Sequence, residues 1–122
     1  MQISDWTRRL FASIDAMDAG AFAGFLAEDG VFLFANQPQV CGRAAAESAV
    51  AGFFAAIKGL RHELLKEWRD SESAVVEGRV TYTRKDGSSV TLPFVNVLEL
   101  RGTAVARYKI YVDATPLFSP AA

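Results

Sequence analysis

The sequence predicts an α+β domain, with helices filling the first half of the chain and a four-strand antiparallel meander the second. Three observations carry this. Apolar residues recur at helical spacing as far as Gly59, they alternate at strand spacing from Leu60 to Asp113, and turn residues break the second half at hairpin intervals. The expected architecture is a curved antiparallel sheet packed on three N-terminal helices, with residues 1–122 forming one domain. A curved sheet with polar groups set among apolar ones is how a small domain builds a ligand pocket.

The elements follow in order. Ser4 or Asp5 caps a first helix whose stripe is Trp6, Leu10, Ile14 and Met17, with Phe11 alongside, up to Gly20. A short second helix over residues 21–27 presents Phe22, Phe25 and Leu26 and stops at Asp29-Gly30. Residues 31–34 form a short buried strand, and Asn36-Gln37-Pro38 turns the chain. Gly42-Arg43 opens a third helix with Val50, Phe53, Phe54 and Ile57 on its apolar face, and Gly59 ends it as a C′ glycine. Strands over residues 60–68, 74–83, 90–100 and 103–112 complete the chain. The turns between them are Asp70-Ser71-Glu72, Lys85-Asp86-Gly87 and Arg101-Gly102, with Asp86-Gly87 a strong hairpin signal. Asp113 and Pro116 close the meander.

Composition limits the function. The chain is 51% hydrophobic and 22% charged, with a net charge of −1 from 13 Lys+Arg and 14 Asp+Glu. That is an ordinary globular balance without the positive footprint that nucleic acid or an anionic membrane requires. The first residues lack the apolar run of a signal peptide, and nothing approaches a membrane span. Cys41 is the only cysteine, which rules out an intrachain disulfide and reads as a buried small apolar residue in a reduced, cytoplasmic protein. No cofactor or metal is implied, because His62 has no second histidine or cysteine beside it and an aspartate with one histidine makes a poor zinc set.

Symmetric turns would set the sheet register. On that assumption His62, Thr81, Leu92 and Tyr111 share one row, and Leu60, Thr83, Val90 and Asp113 the next, on the same face. Leu64, Arg79, Phe94 and Lys109 lie on the far side of His62, and Trp68 with Leu98 walls the end of that face. The opposite face carries Val76, Val80, Tyr82, Val95, Val97, Tyr108 and Ile110 and is apolar almost throughout. Three helices cover only one face well, so the other calls for a second copy, packed through Val80, Val95, Val97, Tyr108 and Ile110.

The three-helix order, the run Val31 to Pro38, the Gly42-Arg43 helix start and the meander ending Tyr108 to Asp113 resemble the nuclear transport factor 2-like superfamily, in its SnoaL-like branch. The resemblance spans roughly residues 6–118. It implies a cone-shaped α+β barrel, dimeric through the convex sheet face. Enzymes and non-catalytic members share that fold, so activity must be argued from the site.

Asp113 matches the pocket aspartate at the last strand's end in polyketide cyclases and epoxide hydrolases of the family. At the rim of an apolar cavity its charged form would be desolvated and its pKa raised toward acid/base use; as a plain strand-end aspartate it would instead cap the Ala114-Thr115-Pro116 turn. Tyr111 is a candidate hydrogen-bond donor to a carbonyl or enolate oxygen. His62 is either a proton shuttle or a hydrogen-bonded wall residue. Arg79 resembles the arginine of the epoxide hydrolase triad, but Thr81 stands where that family has its second aspartate. Arg79 also lies two rows from Asp113, about 13 Å along the strands, and pairing with Glu77 or a neighbour is its simpler role. Asn36 matches a water-holding asparagine of those hydrolases, with Phe34 in place of the usual tyrosine, and it equally suits a turn. Phe34, Asn36, Arg79, Thr81, Phe94 and Trp68 are the candidate ligand contacts. The resulting expectation is a pocket protein for a small apolar molecule, with Asp113, Tyr111 and His62 serving an isomerase or cyclase acting on a carbonyl compound. The alternative is a non-catalytic dimeric binding or accessory module.

Overall fold

A computed structural model describes residues 2–118. The elements are α1 (Asp5–Asp15), α2 (Ala19–Ala23), β1 (Leu26–Phe34), β2 (Val40–Cys41), α3 (Arg43–Ala55), β3 (Gly59–Arg69), β4 (Ser73–Thr83), β5 (Ser89–Arg101), β6 (Ala104–Val112) and α4 (Thr115–Phe118). They form the expected α+β fold. The six strands make one sheet in the order β2-β1-β6-β5-β4-β3. The sheet is mixed rather than wholly antiparallel, because β1 runs parallel to β6. No described helix is long and apolar enough to cross a membrane.

The four-strand meander lies where expected, and the first half differs in detail. Ser4 caps α1 by accepting from the Thr7 amide, and Leu10, Phe11 and Ile14 are its buried stripe. Asp18 caps α2, which ends four residues early, so that Leu26 to Gly30 are strand instead of helix end. Gly42, at φ 95°, opens α3 as expected. Arg43 reaches back with two guanidinium nitrogens, 3.0 and 2.9 Å from the Leu26 carbonyl oxygen, and so ties α3 to the start of β1. Gly59 begins β3 and is not a helix cap. Cys41 is exposed on the two-residue β2.

Sheet register is where the structure departs most from the symmetric-turn lattice. The β4–β5 loop is odd-numbered: Arg84 and Ser88 pair, the Gly87 amide donates to the Arg84 carbonyl, and Gly87 takes φ 89°. This is a three-residue hairpin with a left-handed glycine, and it shifts the register by one. Two bulges add further parity changes. Leu65 is the extra residue of β3, between the pairs Leu64↔Gly78 and Lys66↔Glu77. Ala106 is the extra residue of β6, between Leu100↔Val105 and Glu99↔Arg107. Because successive strand residues face opposite sides, each shift of one turns a whole segment over.

The concave face therefore carries Leu60, His62 and Leu64 with Val76, Val80 and Tyr82, then Leu92, Phe94, Asn96 and Leu98, then Tyr108 and Ile110. Val80, Tyr108 and Ile110, expected on a dimer face, are interior. The outer face is polar over much of its area, with Arg79 paired to Glu63 and Glu99 to Lys109 and Arg107. Of the five expected interface residues, only Val95 and Val97 lie on it.

Helix α1 lies along the free edge of β3, held at both ends. Buried Glu67 accepts from the Ser4 amide at 2.7 Å and from the Thr7 hydroxyl at 2.6 Å. Asp15, at the other end, accepts from the His62 amide at 3.1 Å. The spans match: eleven helical residues rise about 16 Å, and five strand residues extend about 16 Å. The bulge at Leu65 makes this possible by turning Glu67 inward and Trp68 outward.

Gly78 sits opposite that bulge, where a Cβ would run into the Glu63 carbonyl and meet the Phe94 ring at 2.9 Å. Gly78→Ala is expected to destabilise the fold by about 2–4 kcal/mol in urea unfolding. A change within about 0.5 kcal/mol would show that the bulge does not constrain this position.

Candidate functional site

The concave sheet face and the helices enclose a cavity of about 680 Å³, within the usual range for small-molecule sites. Aromatic rings make most of the wall. Phe22 and Phe32 come from α2 and β1, Phe53 and Phe54 from α3, and Phe94 from β5. Phe34 also lines it, and Gln37, Pro38 and Phe118 lie at the exposed mouth. Polar groups on the wall are few: Gln37, His62, Tyr82 and Asn96.

His62 is the focus. Its Nδ1 lies 2.6 Å from Asp15 Oδ1, while the other Asp15 oxygen accepts the His62 backbone amide. The ring is wedged between Phe11 and Phe94, with centroids at 5.0 and 5.2 Å, and its side chain is 9% exposed. A carboxylate only accepts, so Nδ1 carries the proton, and in the neutral imidazole Nε2 is the nitrogen that keeps its lone pair. Tyr82 stands diagonally across from His62, two residues beyond its partner Val80 on the same face, a separation of about 7–8 Å. Burial pushes the Tyr82 phenol up to about 12, so it remains a hydrogen-bond donor at any working pH.

The other expected residues divide clearly. Phe34 and Phe94 are cavity wall as expected. Arg79 is exposed on the outer face, 3.2 Å from Glu63. Thr81 is on the same face and shares a hydrogen bond with Thr91 at 2.9 Å. Trp68 is 43% exposed beneath the Lys66 ammonium. Tyr111, 50% exposed, points away from the cavity. Asp113 is exposed too, and hydrogen bonds from Thr115 hold its carboxyl below the usual range. That is the behaviour of a turn aspartate and the reverse of a desolvated acid. Asn36, Tyr111 and Asp113 do meet, in a shallower hollow beside the cavity mouth.

Two participants escaped the sequence reading. Tyr82 was assigned to the wrong face by the parity error. Asp15 left one signal: an acidic residue in the last turn of a helix opposes the helix dipole, so a compensating partner elsewhere was to be sought. Among the described residues no group of three or more His, Cys, Asp or Glu is placed to hold a metal ion.

The family model for the SnoaL-like domain matches residues 7–108. The chain belongs to the SnoaL-like domain family. Its fold is shared by a protein of ketosteroid isomerase-like fold from Catenulispora acidiphila, solved with trimethylamine, at TM-score 0.83 and 18% identity over 90% of this chain and 86% of that one. A protein assigned as a SnoaL-like polyketide cyclase from Jannaschia sp. CCS1 superposes at TM-score 0.79 and 17% identity, covering 96% and 94% of the two chains. An epoxide hydrolase resembling limonene epoxide hydrolase, from M. tuberculosis, gives TM-score 0.77 and 12% identity over 93% and 84%. At these identities the likeness is one of fold. No curated protein sequence matches the chain.

Proposed function

We propose that this SnoaL-like protein is a small-molecule enzyme of the proton-transfer type, an isomerase or cyclase, with His62 as its base. The supporting observation is the 2.6 Å Asp15–His62 contact on the wall of a largely apolar cavity. Nε2 takes a proton from a carbon next to a carbonyl, and the electron pair moves onto oxygen as an enolate. Asp15 holds the ring in the required tautomer and stabilises the imidazolium that forms. The Tyr82 hydroxyl donates to the enolate oxygen. Return of the proton to another carbon completes an isomerisation. Attack of the enolate on a second carbonyl, with the proton delivered to the new alkoxide, completes a cyclisation. Epoxide hydrolysis lacks support, because Arg79 is outside the cavity and Thr81 carries no carboxylate. A cytoplasmic setting suits the exposed Cys41 thiol.

We also infer a homodimer through the outer sheet face. Its basis is a narrow apolar strip in which Trp68, Val75 and Val97 share one row and Val95 and Tyr111 the next row on the same face.

The chemistry is tested by deuterium uptake into 2-tetralone, whose ring-flanked CH₂ is an acidic C–H beside a carbonyl. Wild type is expected to accelerate uptake over buffer, His62→Gln to lose about 100-fold or more, and Asp15→Asn about 10-fold or more. Undiminished exchange in His62→Gln removes the histidine from the mechanism, and a wild type no faster than buffer favours a binding module. The dimer is tested by sedimentation. Val95→Glu is expected to convert a dimer into a folded monomer, and a monomeric wild type or a dimeric variant contradicts the interface.

A further inference from the structure

One polar group on the cavity wall has no part in the proton transfer. Asn96 lies on β5 two residues beyond Phe94, on the same face, and is 2% exposed. Its Nδ2 donates to the Tyr108 hydroxyl oxygen at 2.9 Å. Its Oδ1 is buried without a hydrogen-bond partner, alone in this among the buried side-chain nitrogens and oxygens of the described residues. An unmet buried amide oxygen costs about 1–3 kcal/mol, and folded proteins keep few such groups. The neighbours across the sheet, Val76 and Ile110, are apolar and offer Oδ1 no donor, so the amide meets the Tyr108 hydroxyl through Nδ2 and leaves its oxygen unmet. Tyr108, fully buried, holds the amide from behind, and burial keeps its phenol protonated far above neutrality. An acceptor without a donor, on a residue that lines a cavity of this size, marks a contact for a ligand to complete.

We propose that Asn96 Oδ1 is a ligand anchor and that the ligand class is an apolar compound carrying a hydroxyl, which donates to it. This deepens the reading of the cavity given above and rests on it as a ligand site, while being independent of the chemistry at His62. The hydroxyl sets which end of the ligand lies at Asn96 and therefore which carbon is presented elsewhere in the cavity. An amide turned by half a revolution would expose Nδ2 and select an acceptor instead, and the test separates the two.

Fluorescence titration with 1-hydroxypyrene and 1-methoxypyrene compares a donor with an acceptor of similar shape. Wild type is expected to bind 1-hydroxypyrene about 5–10-fold more tightly. The preference should persist in His62→Phe and disappear in Asn96→Leu, with Asn96→Ala as the second variant if the leucine is too large to fold. Equal affinities in wild type overturn the proposal, and tighter binding of 1-methoxypyrene overturns it in favour of the turned amide. A preference that survives in Asn96→Leu but vanishes in His62→Phe overturns it by assigning the hydroxyl to the histidine. Failure of both pyrenes to bind removes the ligand site and the anchor together, whereas failure of the tetralone exchange alone leaves the anchor standing.

Discussion

Two carboxylates bind α1 to the edge strand β3, and the site depends on that attachment. An edge strand presents unpaired backbone groups that must be covered or blunted. Here the cover is a helix, tied by Glu67 to the Ser4 amide and Thr7 hydroxyl at one end and by Asp15 to the His62 amide at the other. Glu67 is buried, and a buried carboxylate is tolerated only when its lone pairs are met, which makes this end demanding of geometry. With α1 fixed there, its length delivers Asp15 to His62. The same carboxylate that seals the strand edge orients the imidazole, so that a structural clamp and a chemical dyad share one residue.

The cavity follows from sheet curvature. The bulges at Leu65 and Ala106 bend β3 and β6, since an extra residue increases local twist. Gly78 removes a side chain opposite the first bulge and lets the Phe94 ring lie over the backbone. Phe11 and Phe94 then flank His62 and screen the imidazole from water, which strengthens its contact with the half-buried Asp15. Fixed polar groups in an apolar enclosure are the setting in which one base and one or two hydrogen bonds suffice for enolate chemistry.

How much of this the sequence disclosed is decided by parity. Helix stripes and turn residues are local signals, and they located α1, α3 and all four meander strands within a few residues. The faces of β3 near His62 and of β5 were also legible: Leu60, His62, Leu92 and Phe94 are inward as the lattice required. Facing on β4 and β6 was not, because it depends on whether a loop holds an odd or even number of residues and on single inserted residues. Asp86-Gly87 looks the same in a two- or three-residue turn, and neither Leu65 nor Ala106 carries a bulge signature. One slip moved Arg79 and Thr81 outward and Val80 and Tyr82 inward; another exchanged Tyr111 for Ile110. The partner of Asp15 was hidden for a different reason, since the contact spans 47 residues of sequence and an acidic residue in the last turn of a helix does not name its partner.

The central claim is that Asp15 holds His62 with Nδ1 protonated and Nε2 free to accept a proton. His62 is the chain's only histidine, so its ring nitrogens can be read directly by ¹⁵N–¹H correlation NMR of uniformly labelled protein at a pH where the imidazole is neutral. The account predicts an Nδ1–H tautomer in wild type that is lost or mixed in Asp15→Ala. A wild-type ring protonated on Nε2, or one whose tautomer is indifferent to Asp15, would contradict it.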